Sequence, residues 1–159
     1  MRVCLQRVTQ AKVLVRDEDG KEGDWLVADE IKHGFVALIG VSEGDTEQDV
    51  RVMAEKVGTL RVFSDSAGKM NASLLDVEGS ILAISQFTLY ADCRKGRRPS
   101  FTAAGNPESA ENLYRQLIAQ WRAKGIPVGE GRFGAHMQVE LVNDGPVTIL
   151  LETRKGAIV

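Results

Sequence analysis

Ser85, Gln86 and Thr88 place three hydrogen-bonding side chains within four positions, with Phe87 among them. Just before them runs Gly79-Ser80-Ile81-Leu82-Ala83-Ile84, opened by glycine and rich in branched residues. That composition predicts a strand buried on both faces. A rigid strand that surfaces into polar side chains is a good place for a site. If the backbone stays extended, Gln86 and Thr88 share one face and Ser85 and Phe87 the other. The same side chains can also do no more than satisfy backbone groups at a sheet edge.

Two further stretches carry chemistry. In Asp92-Cys93-Arg94-Lys95-Gly96-Arg97-Arg98-Pro99-Ser100-Phe101, four of ten residues are Arg or Lys, and Gly and Pro keep the segment irregular. Clustered cations beside a polar strand end suit a phosphate-bearing ligand, although a short basic run is also what a solvated loop looks like. The other stretch is Gly145-Pro146. In a tight turn a cis bond there would turn two carbonyls to one side, with no side chain on Gly145 and no N–H on Pro146. Such a turn could act as a probe made of main chain alone. It also reads as an ordinary turn, since X–Pro bonds are mostly trans.

The inventory excludes more than it includes. The sequence has no CxxC pair, no HExxH, no P-loop and no GxGxxG. His33 and His136 lie in unrelated contexts, and a lone histidine is more often structural than catalytic. Cys93 beside Arg94 could be a thiol of lowered pKa or an ordinary exposed cysteine. Nothing here looks like an acid–base machine supplied by the protein.

The elements that must position these groups follow from local patterns. Val3–Val8 and Ala11–Val15 read as two strands, with Thr9-Gln10 as a tight turn although neither residue is the favoured Gly or Asn. Asp17–Gly23 is charged and glycine-punctuated, as exposed loops are. Phe35–Val41 is a second buried strand. Asp45, with Gln48 three residues on, predicts a capped helix whose stripe is Val50, Met53, Val57 and Leu60. Arg61-Val62-Phe63 reads as a short strand, and Ser64–Lys69 as a turn. Asn106 and Pro107 open a second helix with Ala110, Leu113, Leu117 and Trp121 on one face, widened by Tyr114 and Ile118. Lys124-Gly125 ends it. Gly129–Gly134 reads as a loop, Met137–Val142 as a strand, Asn143–Pro146 as a turn and Val147–Glu152 as the last strand. The expected class is an α/β (α+β) fold of mixed, largely antiparallel sheets with two main helices.

The whole chain sets bounds. Its 159 residues predict one domain, 1–159, with 154–159 as a flexible tail. Hydrophobic residues make up 43% and charged residues 26%, the balance of a globular protein. No apolar signal segment opens the sequence and no stretch is long enough to span a membrane. Two cysteines make no disulfide framework, so a reducing cytoplasm is expected. The formal net charge of −2 argues against general nucleic-acid affinity but not against a local basic patch.

With those residues in view, a resemblance emerges. Ser85-Gln86-Phe87-Thr88-Leu89 and Asn143-Asp144-Gly145-Pro146-Val147-Thr148 resemble the two signature motifs of the D-aminoacyl-tRNA deacylases. Gln6-Arg7-Val8, Phe63-Ser64-Asp65, Gly68-Lys69-Met70-Asn71, Arg98-Pro99-Ser100-Phe101, Gly131-Arg132-Phe133 and Met137-Gln138-Val139 also resemble that family, in family order. The resemblance implies a homodimer that hydrolyses the ester between a D-amino acid and tRNA, reading the aminoacylated 3′ end. It implies that Ser85, Gln86, Phe87 and Thr88 form the pocket floor. It also implies that Gly145-Pro146 is cis and enters the partner's pocket, and that Arg7 helps to hold that turn. Phe133 and Met137 match the pocket-wall segment, and Asn143, which opens the second motif, is counted with these supporting residues. Arg94, Lys95, Arg97 and Arg98 are the expected RNA contacts. No cofactor and no metal is expected.

The chemistry is then coherent. Rigid carbonyls near the substrate Cα can hold its ammonium and leave no room for an L side chain, and a clash rejects more strongly than added attraction selects. Glycine has no Cβ, so such a filter predicts that glycyl-tRNA is hydrolysed too. An aminoacyl ester is already activated, so orientation and an oxyanion hole from the N–H groups near Phe87 and Thr88 can suffice, with the substrate 2′-hydroxyl assisting water. Thr88 as a covalent nucleophile is the competing mechanism. A small esterase using Thr88 or Cys93, and a non-catalytic RNA-binding module built on Arg94–Arg98, are the alternatives.

Overall fold

The computed structural model describes residues 1–16 and 24–159. The acidic loop expected at Asp17–Gly23 lies outside the described residues. Among them, no helix is long and apolar enough to cross a membrane.

The chain opens with one 15-residue strand, β1 (Arg2–Arg16), rather than two strands and a turn. Thr9 and Gln10 are exposed, but the strand runs on through them because its neighbours change there. Arg2–Val8 pair with β3 (Gly34–Gly40), and Ala11–Arg16 pair with β2 (Trp25–Ile31). β2 has no counterpart in the sequence reading. Its pattern is weak, since Ile31 is its one buried residue.

Helix α1 (Glu47–Thr59) is capped by Thr46, not Asp45. The Asp49 carboxylate accepts from the Thr46 N–H and hydroxyl, each at 3.0 Å. Asp45 is engaged elsewhere, by the Met1 ammonium and by the Ser42 N–H at 2.7 Å. The expected stripe is buried at Val50, Met53 and Val57, while Leu60 is the cap residue at the far end. A small antiparallel pair follows, β4 (Phe63–Ser64) with β5 (Met70–Ala72). Strand β6 (Ser80–Ser85) then enters the main sheet parallel to β3. At Gly34, φ is +152° and a Cβ would sit 1.9 Å from the Ser80 carbonyl oxygen. Only glycine lets the two strands meet at that rung.

After Ser85 the chain does not stay extended. Gln86 N–H still reaches the Ile39 carbonyl at 2.7 Å, and Phe87–Tyr90 then wind into a 3-10 turn. The expected alternation of faces therefore stops at Gln86. Helix α2 (Pro107–Ala123) begins as read, with Asn106 accepting from the Ser109 N–H at 3.0 Å. Ala110, Leu113, Tyr114, Leu117, Ile118 and Trp121 are all buried. The stretch read as a loop from Gly129 instead opens with β7 (Val128–Glu130), which pairs parallel to β6.

The last long element is also continuous. β8 (Met137–Arg154) spans 18 residues and runs antiparallel along nearly all of β1. Asn143–Pro146 is not a turn between two hairpin strands. Val8 pairs with Asn143 and Gln6 with Thr148, so two steps along β1 correspond to five along β8. The extra residues bulge out and the strand resumes in the same direction. The Gly145–Pro146 peptide bond is cis. β9 (Ala157–Ile158) folds back on the end of β8 through Lys155 and Gly156, both at positive φ.

The main sheet has the order β7-β6-β3-β1-β8-β9, with β2 branching from β1. Among the described residues, only the β3–β6 and β6–β7 pairs are parallel. This is the mixed, largely antiparallel, two-helix α/β class read from the sequence. Helices α1 and α2 cover one face over Val3, Leu5, Phe35 and Ala37. A second cluster, built on Val13, Val36, Leu82 and Ile84, meets Met137 and Val139 beside the end of β6.

Candidate active site

The end of β6 opens into a cleft of about 590 Å³. Ser85, Gln86 and Phe87 form one side, and Phe133 and Met137 belong to its wall. These five predicted residues, far apart in sequence, meet because β6 pairs with β3 and β7 while the segment after β7 folds back over them. Thr88 is the next residue along, exposed and outside the cleft lining, with its hydroxyl accepting from the Gln86 amide.

The 3-10 turn is fixed from below. Arg2 Nη1 donates to the Leu89 carbonyl at 2.9 Å, its guanidinium lies 4.7 Å from the Tyr90 ring centre, and its Nε donates to Glu152 at 3.1 Å. The first N–H groups of such a turn have no acceptor within it. Among the described residues, the N–H groups of Phe87 and Thr88 find no main-chain acceptor. Of the two donor residues, Phe87 lines the cleft and Thr88 follows it just outside the lining.

The rest of the cleft is apolar and aromatic. Phe87 meets Phe101 edge to face at 5.0 Å, and Tyr114 tilts against Phe133 at 5.8 Å. Tyr114 donates its hydroxyl to the Ala83 carbonyl at 3.0 Å, and burial pushes its phenol well above the usual range. Among the described lining residues there is no carboxylate, lysine or arginine. The cleft can hold an aromatic or apolar group, orient a carbonyl and offer main-chain donors. Among its described lining, the imidazole of His136 is the side chain able to accept a proton.

Arg7, Asn143, Gly145 and Pro146 gather at a different place on the same chain. Buried Arg7 donates from Nε to the Asp144 carbonyl at 3.0 Å and from Nη1 to the Val62 carbonyl. Asn143 clips the bulge closed: its Oδ1 accepts from the Val147 N–H at 2.8 Å, and its Nδ2 donates to the Val147 carbonyl at 3.3 Å and to the Thr148 hydroxyl at 3.2 Å. None of these four residues lines the cleft.

Arg94, Lys95, Arg97 and Arg98 are exposed on the loop that follows the 3-10 turn. Asp92 and Ser100 exchange main-chain bonds of 2.7 and 2.9 Å across its base. Arg94 is committed to Asp92, with Nε and Nη2 donating at 2.9 and 2.7 Å. The sequence reading missed Arg2, Phe101 and Tyr114 as parts of the site. An Arg opening a strand, a Phe after a basic loop and a Tyr on an apolar helix stripe give no individual signal. It also passed over His136, which lines the cleft, as a lone histidine.

The comparisons with known proteins agree with one another. The family model described as D-Tyr-tRNA(Tyr) deacylase matches residues 4–152. A D-aminoacyl-tRNA deacylase of Halalkalibacterium halodurans is 54% identical over 154 residues, covering 97% of this chain and 100% of the relative. One from Bifidobacterium animalis subsp. lactis is 53% identical over 159 residues, covering 99% and 100%. The solved structure of a c-Myc DNA Unwinding Element Binding Protein superposes with a TM-score of 0.86 at 39% identity, over 97% of this chain and 99% of its own. A structure described as a probable eukaryotic D-amino acid tRNA deacylase shares the fold, with a TM-score of 0.76 at 22% identity over 94% and 97%. Matched over nearly its whole length at this level of identity, the chain belongs to the D-Tyr-tRNA(Tyr) deacylase family.

Proposed function

We propose that this chain hydrolyses the ester of D-aminoacyl-tRNA to free amino acid and tRNA and spares L-aminoacyl-tRNA. Family membership supports the reaction class. The observation that carries the site assignment is the polar end of β6, where Ser85, Gln86 and Phe87 open into an apolar cleft with no carboxylate, lysine or arginine among its described lining. Such a cleft suits an ester that is already activated.

In this reading the 3′-terminal aminoacyl-adenosine enters the cleft. The N–H groups of Phe87 and Thr88 stabilise the oxyanion as water attacks the ester carbonyl, and the substrate's own 2′-hydroxyl assists that water. The carbonyl carbon gains the water oxygen, the ester C–O bond breaks, and the ribose oxygen leaves with a proton. Thr88 as nucleophile is the weaker mechanism, because its hydroxyl meets an amide N–H, which cannot remove a proton.

Chirality is judged by main chain. The Gly145-Pro146 bulge of one protomer enters the cleft of its partner, held there by Arg7 and Asn143. Two observations support a homodimer. The bulge stands apart from its own chain's cleft, and apolar Val142 and Leu150 flank it, 49% and 61% exposed. Exposed apolar surface of that kind marks an interface. The basic loop at Arg94, Lys95, Arg97 and Arg98 contacts the tRNA, and the reaction takes place in the cytoplasm, where Cys4 and Cys93 stay free. Incubation with matched D- and L-aminoacyl-tRNA tests the reading: release of the D-amino acid alone is expected, and binding without release of either would assign a non-catalytic tRNA-binding role.

A further inference from the structure

A third aromatic pair stands at the edge of the cleft, where His136 lines it and Trp25 lies behind, and the reaction does not use it. His136 lies on its exposed rim, and the imidazole meets the Trp25 ring edge to face, with centroids 5.2 Å apart and planes at 82°. Trp25 opens β2 and His136 precedes β8, and the Arg16 N–H donates to the His136 carbonyl at 3.3 Å. The two rings therefore come from segments that the end of β1 holds together. A ring fixed on its neighbour loses little freedom when a ligand covers it. Imidazole offers a flat face, and the bases of single-stranded nucleic acid stack on such faces whatever their identity.

Resting on the deacylase reading, we propose that His136, braced by Trp25, is a stacking platform for a base of the single-stranded acceptor end next to the terminal adenosine. In that reading the ester lies at Ser85–Phe87, while His136 belongs to the lining segment that also carries Phe133 and Met137. A substrate whose last nucleotide fills the cleft passes its preceding nucleotide over the rim. The platform reads that the ligand is a nucleic-acid end rather than a free aminoacyl ester, and it is indifferent to the amino acid.

The test compares a full D-aminoacyl-tRNA with the minimal 2′(3′)-O-D-aminoacyl-adenosine, using the full-length protein. For His136→Ala, kcat/KM is expected to fall about tenfold more on tRNA than on the adenosine ester, mainly through KM. His136→Phe should restore most of the loss and His136→Lys should not. Equal losses on both substrates, or rescue by Lys and not by Phe, would overturn the proposal, the latter by pointing to a phosphate contact. Binding of deacylated acceptor minihelix, followed by Trp25 emission with Trp121 buried as a constant background, gives the same comparison without turnover. A tenfold weakening by Ala and recovery by Phe support the platform even in a protein that hydrolyses nothing, a result that would sink the deacylase reading alone. Unchanged binding in all variants would remove the platform.

Discussion

Arg7 and Asp144 are joined at two points: the Arg7 Nε donates to the Asp144 main-chain carbonyl at 3.0 Å and lies 3.4 Å from its carboxylate. The same guanidinium donates to the Val62 carbonyl. One buried cation thus ties the bulge of β8 to the chain entering β4. Lysine has no planar fork and cannot hold both carbonyls in this geometry. Arg7→Lys should leave one of them unpaired at a cost of about 1–3 kcal/mol, read as a lower urea midpoint. Turnover of D-aminoacyl-tRNA should fall with it.

Gly145 has φ of +132°, and a Cβ there would lie 2.8 Å from Val147 Cγ2 and 3.2 Å from Arg7 Nη2. Alanine would have to move the turn or strain it by about 1–3 kcal/mol. The bulge is exposed and can yield without unfolding the sheet. Gly145→Ala should therefore lower deacylation of D-aminoacyl-tRNA by tenfold or more and the urea midpoint only slightly. An unaltered rate would separate the turn from the reaction.

Thr88 separates the two mechanisms. Loss of one hydrogen bond from the Gln86 amide is worth about 1 kcal/mol, or several-fold in rate. Loss of a nucleophile costs on the order of 10⁴-fold or more. Thr88→Val should show the smaller effect in single-turnover deacylation.

Asp92 tests the basic loop. Hydrogen bonds from Arg94 hold its carboxyl down, at about 2. A carboxyl depressed in the folded state stays ionised at neutral pH, and the contact is lost only as pH falls through that value. At pH 7, then, Asp92 neutralises one of the four cations. Asp92→Asn should release Arg94 and steepen the slope of log K against log salt for tRNA binding by about 0.7–0.9.

Much of this was legible in the sequence because the signals were local. Asn106-Pro107 and the apolar period of α2 fix that helix without help from the rest of the chain. β3 and β6 are short apolar runs, each entered through a glycine. The failures share a cause. Thr9-Gln10 and Asn143–Pro146 look like turns from composition, but β1 and β8 pair with each other on both sides of them, and the ladder carries both strands through. β2 buries little, so no pattern marks it. Asp45 has the chemistry of a cap but is taken by the Met1 ammonium, a partner no local window contains. That Ser85–Phe87, Phe133 and Met137 belong together was readable through the family motifs, and they line one cleft. Arg2 reaches the turn beside the cleft, and Tyr114 and His136 reach the cleft itself, only through neighbours brought by the fold.

The central claim is that main chain, through sterics alone, decides which hand of amino acid is released. Its most direct test is one set of rates on a single tRNA charged with D-alanine, glycine or L-alanine. These substrates differ only in where, or whether, a Cβ projects. The account predicts release of D-alanine and of glycine, with L-alanine left in place. Glycine protected as fully as L-alanine, or L-alanine released as readily as D-alanine, would contradict it.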